Sequence, residues 1–175
     1  MFMKSEKLLA IKKRLKKVLK DEFVYDVILF GSAVKGKSNP HDIDLAIISD
    51  KKSFDLKGFH VSVINLRDFF KPIGLINTLF REGYSLKKNK SFSGIYGFRN
   101  KCLFRYELSG LNSSKKVQVV NFLRGKKDEK GLVLEKDGEW LSNQVFLCPV
   151  IYDSIFERFF LNSKVKFKKY HVLID

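Results

Sequence analysis

The feature that most constrains the fold is a β-strand, a Gly-Ser turn and an Asp-x-Asp strand in close succession. Residues 23–30 form an apolar run rich in β-branched and aromatic side chains, and this run ends at Gly31-Ser32. The next nine residues include glycine, serine, asparagine and proline, which predicts a loop. Asp42-Ile43-Asp44 then opens a second apolar run that ends at Ser49 and predicts a second strand.

Each part of this succession suits the binding of a phosphate chain together with a metal ion. Gly31 has no Cβ, so a phosphate can approach its backbone closely. Ser32 adds a hydroxyl and, where a helical turn begins, N–H groups directed at phosphate oxygens. Because side chains alternate along a strand, Asp42 and Asp44 are expected on the same face. Two adjacent carboxylates can hold Mg²⁺, and two metal positions about 4 Å apart would clamp both oxygens of an in-line phosphoryl transfer.

This pattern closely resembles the minimal nucleotidyltransferases of the DNA polymerase beta superfamily. The matching stretches are residues 28–36 and 42–48, and the likeness extends over about residues 5–86. The resemblance implies an α+β fold in which a mixed sheet is flanked by helices. It also implies that Gly31 and Ser32 bind a nucleoside triphosphate (NTP), while Asp42 and Asp44 are catalytic and ligate Mg²⁺ or Mn²⁺.

The third carboxylate that these families place on the next strand is missing. In the predicted strand 59–65, Ser62 occupies the position at which the resemblance places that acid. A serine hydroxyl is a poor ligand for Mg²⁺ and cannot act as a general base near neutral pH. His60, two residues earlier, is a candidate for the same face, and Lys35 and Lys37 are candidate phosphate contacts in the loop. Transfer with fewer ligands and binding without catalysis are therefore both open.

The remaining elements of the first half are predicted from periodicity and spacing. Residues 4–22 have apolar side chains at helical spacing and predict an amphipathic helix. Residues 67–86 predict another helix with an apolar face. The polar link over residues 50–58 favours antiparallel pairing of the strands on either side.

A change in composition divides the chain. Lysine, asparagine, serine and glycine dominate residues 87–100, which predicts a link between a nucleotidyltransferase-like domain over residues 1–88 and a small basic α+β module over residues 100–175. We expect the module to close one side of a cleft over Asp42 and Asp44. Its sequence predicts strands over 102–108, 132–135, 144–148 and 165–174, and helices over 115–123 (capped by Asn112-Ser113) and 151–161.

The charge of the chain predicts a polyanionic partner. The formal net charge is +15, which favours nucleic acid, and RNA in particular; lysines that serve only solubility are the alternative. Cys102 and Cys148 stand in apolar runs and indicate buried thiols in a reducing compartment. No apolar run approaches the roughly 18 residues of a membrane span, so a cytoplasmic protein is expected.

Two functions from different classes follow. The favoured one is an enzyme that transfers a nucleoside monophosphate from an NTP–Mg²⁺ complex to an acceptor, with RNA ahead of a protein hydroxyl or a small molecule. The alternative is a catalytically inactive protein of the same fold that acts as a nucleic-acid-binding or antitoxin-like partner.

Overall fold

The computed structural model describes residues 5–34, 43–71, 74–127 and 129–175. These residues divide into two compact units, one that extends to Phe98 and includes Asp175, and one over Arg99–Ile174. Each unit has its own β-sheet and its own hydrophobic core. None of the helices in the described ranges combines the length and the apolar character that a bilayer crossing demands.

The first unit is built on a mixed sheet, which confirms the expected α+β fold. Its strands follow the order β3-β2-β1-β4-β5. β1 is antiparallel to β2 and to β4, β4 is antiparallel to β5, and β2 is parallel to β3. Among the described residues the strands are β1 (Val24–Phe30), β2 (Ile43–Ser49), β3 (Phe59–Ile64), β4 (Tyr84–Ser85) and β5 (Lys90–Ser91).

The expected antiparallel pairing of β2 and β3 is wrong. Ile43 lies beside Phe59 and Ile48 beside Ile64, so the two strands run in the same direction. A nine-residue link is long enough for this return, because extended chain covers about 3.3 Å per residue and β2 is only about 20 Å long. Phe54 of the link packs on the core under the N-terminal helices. The link therefore runs back over one face of the sheet instead of turning at its end.

Helices cover both faces of this sheet. The predicted N-terminal helix is present but is interrupted at the buried residue Leu15, and the predicted helix over 67–86 shortens to a 3₁₀ turn at Asp68–Phe70 followed by α3. The helices are α1 (Ser5–Arg14), α2 (Lys16–Leu19), α3 (Gly74–Glu82) and α4 (Phe92–Ile95). α1 and α2 contribute to a core that includes Ile11, Leu15, Val18, Val27, Leu29, Leu45 and Ile47. α3 and α4 contribute to a second core that includes Ile28, Ala46, Ile48, Ile64, Ile76, Leu79 and Phe92.

Residues 87–98, whose composition predicts a link, are folded in the first unit. They contain β5 and α4, and Phe92 is almost fully buried. Ser91 explains how so polar a segment folds, because its hydroxyl accepts a hydrogen bond from the N–H of Gly94 and caps α4.

The second unit is an antiparallel sheet with helices packed on an aromatic core. The strand order is β7-β8-β6-β9, and the core includes Phe104, Tyr106, Phe146, Phe156 and Phe160. Asn112 caps α5 as predicted, by accepting a hydrogen bond from the N–H of Lys115. The elements are β6 (Arg99–Glu107), α5 (Ser113–Arg124), α6 (Leu132–Glu135), β7 (Glu139–Ser142), β8 (Val145–Pro149), α7 (Asp153–Asn162) and β9 (Lys166–Ile174).

The predicted strand over residues 132–135 is wrong, since Leu132–Glu135 is the helix α6. Gly131, which precedes this helix, packs against the backbone at Arg124 without room for a Cβ. Its carbonyl accepts from the N–H of Glu135, which starts a helical turn and buries Val133 in the core. Trp140 lies in β7, where it packs on the core beneath the guanidinium of Arg124, 3.9 Å from the ring centroid.

Candidate nucleotide and metal site

The antiparallel pairing of β1 with β2 brings the Gly-Ser turn beside the Asp-x-Asp strand. Phe30, the last residue of β1, lies opposite Asp44, and Gly31 begins the turn that follows. Gly31 has φ of +71°, a left-handed conformation that side chains with a Cβ rarely adopt. A methyl group on Gly31 would lie 3.3 Å from Cγ of Asp44 and closer still to Oδ2. Glycine is therefore needed both for the turn and for the room that the Asp44 carboxylate occupies.

The parallel pairing of β2 with β3 brings His60 to the other side of Asp44. These two residues are partners in the strand register, and Nδ1 of His60 lies 3.3 Å from Oδ1 of Asp44. Asp44 thus has one oxygen directed to Gly31 and one directed to the imidazole. Its side chain is 30% exposed and that of His60 is 71% exposed, so both remain accessible to a ligand.

The N-terminal helix anchors the start of β3 next to this pair. Arg14 of α1 places its guanidinium 4.3 Å from the ring centroid of Phe59, the residue before His60. The same guanidinium donates a hydrogen bond to the carbonyl of Lys57, at 2.8 Å. These contacts fix the backbone that carries His60.

Ser62 lies where the sequence places the missing acid. It pairs with Ala46, two residues along the strand from the Asp44–His60 pair and on the same face of the sheet. β3 itself contains no carboxylate. The expectation that His60 shares the face of the site is confirmed by its contact with Asp44; strand alternation was the signal that identified it.

The remaining predicted site residues fall partly inside and partly outside the described ranges. Ser32 lies in the turn after β1 and is partly buried, and the next residue, Ala33, is fully buried in the core under α1. Asp42, together with Lys35 and Lys37, lies outside the described residues. The side-by-side arrangement of Asp42 and Asp44 thus stays a prediction.

Asp26 is a buried acid on the same face as Asp44 but belongs to a different part of the unit. It pairs with Ile48, at the far end of β2, and is only 7% exposed. Its carboxylate accepts hydrogen bonds from the hydroxyl of Ser85 (2.7 Å) and the N–H of Val27 (2.8 Å). Burial raises the pKa of Asp26, and these hydrogen bonds only partly offset the effect. We assign Asp26 a structural role.

The described residues fit a divalent cation. The carboxylate of Asp44 supplies oxygen, the donor that Mg²⁺ and Mn²⁺ prefer, at a partly exposed position. The absence of a Cβ at Gly31 lets this carboxylate lie directly against the turn that follows β1. Asp42 would supply the second carboxylate.

One comparison with known proteins gives a match. Residues 12–93 match a family model described as a nucleotidyltransferase domain. This stretch includes β1, β2 and β3 and therefore Gly31, Asp44 and His60. The match supports nucleotidyl transfer in general, with an NTP as substrate, in a family that usually uses divalent metals. No curated protein and no solved structure matches the chain significantly.

Proposed function

We propose that this chain, whose residues 12–93 match a nucleotidyltransferase domain, transfers a nucleoside monophosphate from an NTP to RNA. The observation that carries the proposal is the position of the Asp44 carboxylate against the Gly31 turn. It brings a carboxylate that can bind a metal ion to the turn that we propose to hold the phosphates, although Gly31 and Asp44 stand thirteen residues apart in sequence.

Each residue of the site has a distinct role in this proposal. Gly31 and Ser32 bind the triphosphate through backbone N–H groups and the serine hydroxyl. Asp42 and Asp44 hold Mg²⁺ or Mn²⁺, and the chemistry that a bound ion supplies there is neutralisation of phosphate charge. His60 contacts Oδ1 of Asp44 and so orients the carboxylate with Oδ2 toward the Gly31 turn.

The acceptor proposal is supported by the outer face of the sheet in the second unit. Strand alternation turns Arg105 and Lys168, which are direct partners across β6 and β9, away from the aromatic core, and both are exposed. Tyr170 lies on the same face and is 50% exposed. The basic side chains on this face of β6 and β9 are Arg99, Lys101, Arg105, Lys166 and Lys168, against the single acid Glu107. Cations beside an exposed aromatic ring suit the phosphates and bases of single-stranded RNA.

The nucleotide site is tested by calorimetric titration with ATP, GTP, CTP and UTP in the presence of Mg²⁺ or Mn²⁺. Wild type should bind one or more of them only with metal, and Asp44→Asn should weaken binding at least about tenfold, because a metal-bound carboxylate is lost. Asp50→Asn is the matched control. It makes the same substitution just beyond the other end of β2, about 20 Å from Asp44. There the carboxylate of Asp50 accepts a hydrogen bond from the hydroxyl of Tyr25. Equal weakening by the two variants would refute the assigned site.

The acceptor is tested with single-stranded RNA and α-labelled NTP. Wild type should transfer label to RNA, and RNA affinity should fall as salt rises. Arg105→Gln/Lys168→Gln should weaken RNA binding and reduce the slope of log affinity against log salt by about 2. Lys126→Gln/Lys127→Gln removes the same charge from an exposed loop after α5 and should leave the slope close to that of wild type.

The position of Ser62 supports the second candidate, an inactive binding protein of the same fold. Without a carboxylate there, β3 lacks the third acid that the resemblance to minimal nucleotidyltransferases places on this strand. Salt-sensitive RNA binding that is unchanged by Asp44→Asn, with no transferred label, would establish this candidate and exclude the enzyme.

A further inference from the structure

The second unit contains a cluster of metal-type donors that the proposed nucleotidyl transfer does not use. Cys102 of β6 and His171 of β9 are direct partners across adjacent strands, so their side chains lie on the same face. Asp153, the first residue of α7, lies over them. Its Oδ2 is 3.8 Å from Sγ of Cys102 and 3.9 Å from Nε2 of His171. The donor atoms of all three residues lie within 4.8 Å of one another.

We propose that Cys102, Asp153 and His171 form a binding site for a zinc-like transition-metal ion. Thiolate, imidazole and carboxylate are the ligand types that Zn²⁺ takes in proteins. With metal–ligand distances of about 2.0–2.3 Å, a thiolate and a carboxylate at two corners of a tetrahedron lie about 3.5 Å apart, and an imidazole and a carboxylate about 3.3–3.4 Å apart. The distances of 3.8 and 3.9 Å to Asp153 exceed these values by about 0.3 and about 0.5–0.6 Å. Small rotations of the side chains are therefore sufficient to close the site.

The electrostatics of the cluster favour a divalent ion. Lys169 pairs with Oδ2 of Asp153 at 3.0 Å and with Oε1 of Glu157 at 2.8 Å. Two carboxylates against one ammonium leave one negative charge in a partly buried place. A divalent cation that displaces the thiol proton of Cys102 adds one net positive charge and brings the cluster to neutrality.

The three residues differ in exposure, and the more exposed ones provide a path by which a metal ion can enter from solvent. Cys102 is fully buried, while the side chain of Asp153 is 21% exposed and that of His171 is 34% exposed. Burial raises the pKa of Cys102 to about 12, and the nearby charge of Asp153 adds to this effect.

Lys169 supplies a specific prediction, because it competes with the metal for Asp153. When a metal binds, the ammonium of Lys169 remains paired with Glu157. Removal of this ammonium by substitution should raise the affinity for the metal. Lys169→Met should therefore bind metal at least about tenfold more tightly than wild type, through removal of a positive charge 3.0 Å from a ligand oxygen. Lys168→Met is the matched control, since Lys168 is the exposed neighbour on the opposite face of β9.

The experiment is a titration of the full chain with Co²⁺ after removal of metals by a chelator. Wild type should bind Co²⁺ at this cluster with a thiolate-to-metal charge-transfer band and the visible bands of tetrahedral cobalt, and Zn²⁺ should displace it. Cys102→Ser should abolish the charge-transfer band, and His171→Gln should weaken binding at least about tenfold. Circular dichroism checks that each variant is folded.

Two further variants test whether the charge-transfer band arises from Cys102. Cys148 lies directly opposite Cys102 on β8 and is buried like it, so Cys148→Ser is the control for loss of a buried thiol. Cys148→Ser and Asp44→Asn should both keep the wild-type charge-transfer band. No band in folded wild type, a band lost equally in Cys148→Ser, or equal affinities in Lys169→Met and Lys168→Met would overturn the proposal.

Discussion

Replacement of Gly31 by alanine tests the site at its most constrained point. The positive φ of +71° at this residue costs an alanine roughly 1–2 kcal/mol. The new methyl group would also lie 3.3 Å from Cγ of Asp44 and nearer to Oδ2. Since nonbonded heavy atoms rest about 3.5 Å apart, the carboxylate must move by about 1 Å, with a rotamer cost of about 0.5–1.5 kcal/mol. The total loss of stability should be about 1.5–3.5 kcal/mol.

Gly97→Ala provides the matched control for backbone strain. Gly97 is in the same unit and has φ of +83°, but no heavy atom lies within 4 Å of the position that its Cβ would take. Urea unfolding should therefore give a loss of only about 1–2 kcal/mol for Gly97→Ala. Asp44→Ala removes the carboxylate that the new methyl group would displace. In a protein with this substitution, Gly31→Ala should lower the free energy of unfolding by no more than Gly97→Ala does.

Gly31→Ala and Gly97→Ala should differ more in nucleotidyl transfer than in the free energy of unfolding. A displacement of about 1 Å at a catalytic group can lower a rate by about 100-fold, so Gly31→Ala should lose most nucleotidyl transfer. Gly97→Ala should retain it. The assays are label transfer and metal-dependent nucleotide binding, both at a temperature where each variant is folded. Equal effects of the two substitutions on transfer and binding would refute the proposed role of Asp44.

Three further predictions concern stability. Phe104→Ala should cost about 3–5 kcal/mol in urea unfolding, because this fully buried ring contacts four other phenylalanines; a loss below about 1 kcal/mol would contradict that packing. Asn112→Ala should cost about 1 kcal/mol and Asn112→Ser much less, since only alanine cannot accept the hydrogen bond from the N–H of Lys115. Burial raises the pKa of Asp26 above its ordinary value of 3.8, so the native state binds the proton of this carboxyl more tightly than the unfolded state does. The free energy of unfolding should therefore fall as the pH rises from 3.8 through the raised pKa. Asp26→Asn should remove that decline; a stability difference from wild type that is independent of pH would contradict the assignment.

The predictions that held rest on short-range patterns. Apolar runs rich in β-branched and aromatic side chains identified β1 and β2, and alternation of side chains placed His60 on the face of Asp44. Helical spacing identified the apolar face of the N-terminal segment, whose predicted positions all belong to or contact one core. A polar residue with hydrogen-bonding capacity before a helical run identified the Asn112 cap.

The predictions that failed depend on choices that a local pattern leaves open. A polar link of nine residues is compatible with a turn or with a return over the sheet, and the apolar side chain of Phe54 decided for the latter by packing on the core. Leu132–Glu135 has the apolar character of a strand, but it forms a helical turn in which the N–H of Glu135 bonds the carbonyl of Gly131 and Val133 is buried in the core.

The sequence by itself predicted the candidate nucleotide site at Gly31-Ser32 and Asp44, because the strand, the Gly-Ser turn and the Asp-x-Asp strand follow one another as in minimal nucleotidyltransferases. Only the tertiary structure decided the contact of His60 with Asp44 and the assembly of Cys102, Asp153 and His171. Cys102 and Asp153 are 51 residues apart, and strand register and helix packing bring them together. Register depends on cooperative packing of whole elements, so no local pattern reveals it.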